Sequence, residues 1–137
     1  MNTRQWLTRA RRIDTEINSL LISYEETKAA LTKVSQTLTG DTVQSTKDPH
    51  RFDRLAELSE LIDRKADELL TTKGEIVAAI GCLRNGNQRA VMYRRYIGNE
   101  TFEQIAVGMN YSYKQVCRIH GRALIEMEAI LNAEAGA

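Results

Sequence analysis

The segment SYKQVCRIHGRAL, residues 112–124, gathers side chains whose types and spacing could do chemistry. Lys114, Arg118 and Arg122 recur every four residues, so on a helix they rise along one face. Tyr113 and Cys117 form a neighbouring stripe at the same spacing. Cations beside an aromatic suit the edges of DNA bases: Lys114 or Arg118 could donate to guanine O6 and N7, and Tyr113 could pack on a thymine methyl. Other chemistry reads weakly. Cys117 and His120 stand three apart and, with Cys82, would offer three donors to zinc. A surface-facing Cys117 and an ordinary helical His120 is the simpler reading. His50 and His120 lie far apart, and neither belongs to a nucleophile–base motif. NGN at 85–87 and GNE at 98–100 read as turns, not phosphate loops. Glu57, Glu60, Asp63, Asp67 and Glu68 are spaced like a solvated helix face. The expectation is a protein that is not an enzyme and needs no cofactor or metal.

Charge is distributed in a way that the total hides. The 137 residues carry 19 Lys+Arg and 18 Asp+Glu, a net of +1. Residues 84–122 hold Arg84, Arg89, Arg94, Arg95, Lys114, Arg118 and Arg122 against only Glu100 and Glu103. A basic segment in a nearly neutral chain is the electrostatic footprint expected of a nucleic-acid contact, although a soluble basic surface has the same composition. Within it, Arg89, Arg94, Arg95 and Arg122 read as phosphate contacts, which position without specifying. Ser112 at a helix start could hold a further phosphate. A structural pairing of Arg95 with Glu103 is the alternative for that residue.

These side chains need short helices to place them, and the sequence supplies the signals. A helix is predicted over 87–97, capped by Asn85 or Asn87, followed by a turn at Gly98–Glu100. Thr101 and Gln104 form a T-x-x-Q capping box, opening a short helix from Phe102 to Gly108. Ser112 and Gln115 form a second box, opening a helix from Tyr113 to about Leu131. Two capped helices around a tight connection outline a helix-turn-helix. Ile105, Ala106, Val116 and Ile119 are its expected core, and Tyr111 plugs the turn. Asn110 is the residue expected to take the positive φ that such a turn needs.

Residues 1–84 have a different texture. Trp6, Ala10, Ile13, Ile17, Leu20, Tyr24, Leu31, Val34 and Leu38 fit one heptad register, with Thr27 in its polar slot. About 36 residues at 1.5 Å each make a rod of roughly 50 Å. After a polar loop with Gly40 and Pro49, a second register holds Phe52, Leu55, Ser59, Ile62, Ala66, Leu69, Lys73, Ile76, Ile80 and Leu83. Thr71–Gly74 is expected to be its weakest part. A short link favours an antiparallel hairpin. Leu38 would then face Phe52, and Trp6 the region of Leu83. Arg9, Arg11 and Arg12 would lie beside the basic segment, as a solvated face or a phosphate patch. Leu7, Leu21, Ile22, Leu58, Leu61, Leu70 and Val77 lie off the seam, so a lone hairpin leaves them wet and a homodimer would bury them. No apolar run approaches the length of a spanning helix. The N-terminus lacks a signal-peptide core, and two distant cysteines suit a reducing cytoplasm. The expected chain is all-α: a hairpin for oligomerisation over 1–84, then a helix-turn-helix domain over 85–137.

The stretch RAVMYRRYIGNETFEQIAVGMNYSYKQVCRIHGRAL resembles the fourth conserved region of bacterial primary sigma factors. The shared features are Arg95–Tyr96, Phe102-x-x-Ile105–Ala106, Ser112-x-x-x-Val116 and Arg122–Ala123–Leu124. The likeness implies base reading by Tyr113, Lys114, Cys117 and Arg118. Cys117 stands where sigma factors carry a long polar residue, so no target sequence is inherited. A region for the −10 element and a promoter-melting aromatic cluster are missing, which excludes a complete initiation factor. The hairpin, the KDPH loop and the YSYKQVCRIHGRAL ending together look like small late-operon transcription regulators of Gram-positive phages and prophages. That resemblance implies a dimeric regulator of double-stranded DNA in the bacterial cytoplasm, with RNA polymerase as a further partner. Alternative readings are a small terminase-like DNA-packaging subunit and a protein that grips RNA polymerase or a sigma factor without touching DNA.

Overall fold

A computed structural model describes residues 1–37 and 50–136, with backbone alone for 34–37 and 51. Leu38, Gly40 and Pro49 lie outside the described residues, as does the side chain of Val34. Every described element is helical: α1 (Thr3–Leu7), α2 (Arg9–Thr37), α3 (Arg51–Gly81), α4 (Gly86–Met92), a π turn (Tyr93–Ile97), α5 (Phe102–Met109) and α6 (Tyr113–Ala135). The fold class is therefore all-α.

The chain forms two compact units, residues 13–68 and, together, residues 1–12 with 69–137. The division expected between 84 and 85 lies inside the second of these. The reason is where the apolar stripes meet. Leu7 and Ala10 from the start of the chain share one core with Ile76, Ala79, Ile80 and Leu83 from the end of α3, and with Met92, Tyr96, Ala123 and Met127. Trp6 packs against the edge of that core, in the same cluster as Leu83. Leu7 is fully buried there. It does not wait for a second copy, contrary to the reading of its off-seam position.

The first helix is also not one rod. Asn2 caps α1 with a box the sequence reading overlooked: its Oδ1 accepts from Gln5 N–H at 2.8 Å, and Gln5 Oε1 accepts from Asn2 N–H at 2.9 Å. Thr8 ends α1 with ψ of 1°, its N–H bonded to Arg4 O. The Thr8 hydroxyl donates to Gln5 O at 3.1 Å, the kind of side-chain competition with the helix ladder that hydroxyl residues supply. Beyond Thr8 the chain resumes as α2.

In the unit of residues 13–68 the heptad reading fares well on α2. Ile13 and Ile17 are buried, and Leu20, Tyr24, Thr27 and Leu31 are half-buried. On α3, Leu55, Ser59, Ile62 and Ala66 are half-buried, as are Leu58 and Leu61. Phe52 departs from the pattern at 72% exposed. Lys65 Nζ joins Glu16 at 2.8 Å and Glu68 at 3.3 Å, tying α3 to α2. Those carboxylates raise the Lys65 pKa through hydrogen bonding. In the other unit Arg9 joins Glu75 at 2.9 Å, so the beginning of α2 lies along the end of α3. Both arrangements are compatible with an antiparallel hairpin. α3 runs unbroken through Thr71–Gly74, with Thr72 buried. Of the off-seam residues, Leu21, Ile22, Leu70 and Val77 remain exposed in the single chain.

Candidate nucleic-acid interface

Both predicted capping boxes are formed. Thr101 Oγ1 accepts from Gln104 N–H at 3.1 Å, and Gln104 Oε1 accepts from Thr101 N–H at 2.8 Å. Ser112 and Gln115 repeat the exchange at 3.1 and 3.0 Å. Between the two helices Asn110 takes the left-handed conformation, φ 59° and ψ 42°. Asn tolerates this region better than other side chains with a Cβ, since its amide bonds locally. Tyr111 N–H then closes the turn on Ala106 O at 2.9 Å. Val91, Ile105, Ala106 and Val116 form a small core, with Phe102, Met109, Tyr111 and Ile119 packed at its edge.

That core fixes which way α6 faces. Val116, His120, Ala123 and Met127 form its buried stripe. The other side of its first turns carries Tyr113, 51% exposed, with Lys114, Arg118 and Arg122 exposed and Cys117 half-buried. The four residues expected to read bases therefore sit together on one short stretch of helix. The Tyr113 ring meets the Phe102 ring edge-on, at 6.4 Å between centroids.

The expected phosphate contacts divide. Arg122 and Ser112 stand exposed on and before α6. Arg89 is committed elsewhere: its Nη1 donates to Leu83 O at 2.6 Å, fastening α4 to the end of α3. Arg94 reaches Glu100 at 3.3 Å. It also lies so close to Gly108 that a Cβ there would collide with the guanidinium. Arg95 donates to Glu100 O at 3.0 Å and lies over the Phe102 ring at 4.5 Å. Its structural partner is thus the Glu100 carbonyl instead of Glu103. The N-terminal cations divide too. Arg9 holds Glu75 and covers Trp6 at 4.5 Å, whereas Arg12 is exposed.

Arg94 and Arg95 owe their placement to the π turn. Gly98 N–H reaches back to Tyr93 O at 3.0 Å, and Glu100 N–H to Arg94 O at 3.0 Å. Asn99 follows at φ 55°, a second left-handed asparagine. A π turn takes in one more residue per turn than an α-helix, which turns the later side chains to a new face.

Comparison with known proteins found no match: no family model, no curated protein and no solved structure.

One group in this region reads in the sequence only as an ordinary helix residue. His120 is buried, 6% exposed, and its Nε2 shares a hydrogen bond of 2.7 Å with the Tyr96 hydroxyl. The two rings stack at 5.7 Å, and Phe102 meets the His120 ring edge-on at 4.9 Å. Burial, with Arg4 and Arg95 nearby, lowers the His120 pKa to about 4. The imidazole is neutral at pH 7. Burial also pushes the Tyr96 hydroxyl up, against the pull of Arg4, Arg95 and Arg11. The signal was faint: a histidine at four residues from Val116 on the buried stripe. Among the described residues no cluster of His, Cys, Asp and Glu could hold a metal, and no helix is long and apolar enough to cross a membrane.

Proposed function

We infer that the chain is a sequence-specific DNA-binding transcription regulator that reads the major groove with the first turns of α6. The observation that carries this reading is the clustering of Tyr113, Lys114 and Arg118, exposed, on the face of α6 opposite its buried stripe. A rigid helix with a well-defined cap presents base-contacting side chains in a fixed frame, and its N-terminal turns are what such motifs lay against base edges. Arg122, exposed farther along α6, adds a further positive charge. The likeness to the fourth region of sigma factors and to phage late-operon regulators extends the reading to late-gene control in a bacterial cytoplasm, with RNA polymerase as a second partner.

Fluorescence anisotropy with random duplex DNA at about 50 and 200 mM salt tests the central claim. Neutralising several phosphates predicts an affinity loss of orders of magnitude across that range. Absence of binding at the lower salt would turn the basic face toward a protein partner, with RNA polymerase as the first bait.

The same reading includes a homodimer. Leu21, Ile22, Leu70 and Val77 form exposed apolar positions on the two long helices, and a second copy is the simplest cover for them. Multi-angle light scattering at micromolar concentration should give twice the chain mass. A monomer mass would remove the dimer, and rings of many subunits would favour a packaging protein instead.

A further inference from the structure

A cleft of about 120 Å³ opens beside the buried histidine, lined by Arg4, Thr8, Arg95, Tyr96, Phe102 and His120. All six belong to the same compact unit. Two arginines line it, both acting on His120, and the lining holds no carboxylate to balance them. Glu100, bonded to Arg95 through its carbonyl, has its carboxylate engaged by Arg94. The floor is polar but built and rigid, since Tyr96 and His120 are both more than nine-tenths buried and bonded to each other. Two like charges brought together around a small polar hollow are stabilised by an anion that enters between them.

We propose that this cleft is a phosphate site, gripped by Arg4 from the N-terminal helix and Arg95 from the π turn, and filled by a phosphodiester of the bound DNA. The proposal rests on the DNA-binding reading above and adds to it a contact from the far end of the chain. Arg95 is held ready by its one bond to Glu100 O and by the Phe102 ring, which leave the rest of its planar fork to a ligand. The Phe102 ring is also the wall between cleft and recognition face, since its other neighbour is Tyr113. A backbone phosphate bordering the groove that α6 enters would therefore lie one ring away from the base-reading side chains. Arg4 and Arg95 both help to keep His120 neutral. An anion between them offsets that influence, so occupancy is visible at the histidine ring.

The experiment uses the full chain and its Arg4→Ala variant, with Arg4→Gln in reserve should alanine lower the thermal midpoint. Anisotropy against random duplex DNA gives the slope of log affinity on log salt. Arg4→Ala should reduce that slope by about one, with an equal loss on every sequence, and Arg4→Lys should restore it. An unchanged slope in a folded Arg4→Ala protein overturns the proposal. A second arm follows the His120 ring signals by NMR while inorganic phosphate is added. A saturable shift that needs Arg4 supports the cleft as a phosphate site open to the free ion. A reduced slope without such a shift supports it for the DNA backbone alone. Should the unaltered chain bind no DNA, the functional reading fails separately, and the phosphate arm decides the cleft: an Arg4-dependent shift sustains it and none overturns it.

Discussion

Replacing Lys114 and Arg118 together by alanine is expected to erase most of the preference for the cognate site while leaving the fold intact. Both side chains are exposed on α6, so their removal opens no cavity in the core of Val91, Ile105, Ala106 and Val116. A good bidentate contact to a base discriminates by about 1–3 kcal/mol. Losing two such contacts should narrow the ratio of cognate to random affinity by roughly thirtyfold to twenty-thousandfold. The matched control is Arg122→Ala, expected to weaken all sequences alike, as a phosphate contact does. The measurement is competitive binding of a selected site against random duplex. A double variant that keeps its full preference would show that α6 does not read bases. A double variant that loses promoter response yet still binds polymerase would separate the two partners.

The second large effect concerns acid. The His120 pKa falls from 6.5 to about 4 on folding. Above about pH 6.5 the imidazole is neutral in both states, and its contribution to stability is complete. As pH falls from 6.5 toward 4, the unfolded chain takes up a proton that the folded one refuses, so stability declines through that window. At roughly 1.4 kcal/mol per unit of pKa, the full loss is of the order of 3 kcal/mol. The groups facing the ring reinforce the direction: Arg4 and Arg95 are cations from other elements, and Tyr96 and Phe102 offer no negative charge near neutrality. Urea unfolding at several pH values, for the unaltered chain and for His120→Gln, should diverge across this window. The glutamine can still bond the Tyr96 hydroxyl but has no proton to gain. Parallel curves for the two proteins would mean that His120 titrates alike in both states.

Much of this region is written in local signals. A box needs only Thr or Ser with Gln three residues on, so Thr101–Gln104 and Ser112–Gln115 are legible without any tertiary knowledge. Asn110 is legible for a similar reason: a tight turn demands φ > 0, and no glycine stands there. The α2 heptads are legible because a seam repeats. What could not be read depends on distant partners. The heptad spacing gives the register of Leu7 relative to Ala10, but not that Met127 arrives to cover it. Basic residues announce charge, not destination: Arg89 serves a carbonyl six residues away and Arg9 a glutamate on another helix. The π turn at Tyr93–Ile97 has the composition of ordinary helix, so its shift of face leaves no mark in the residue types. His120 reads as helical, and only the approach of Tyr96 and Phe102 makes it buried.

The core shared by residues so far apart in sequence also governs the order in which this protein can fold as it is made. Leu7 and Ala10 leave the ribosome well before Ala123 and Met127, which complete their surroundings. Loop closure across so many residues precedes any gain from contact. During synthesis α1 must therefore remain without its final partners until α6 emerges, its apolar surface exposed in the interval. The segment of residues 13–68 has no such delay, because its compact unit is contiguous in sequence. Vectorial folding thus has a built-in sequence, in which the unit of residues 13–68 matures first and the unit that contains α6 closes only once α6 has emerged.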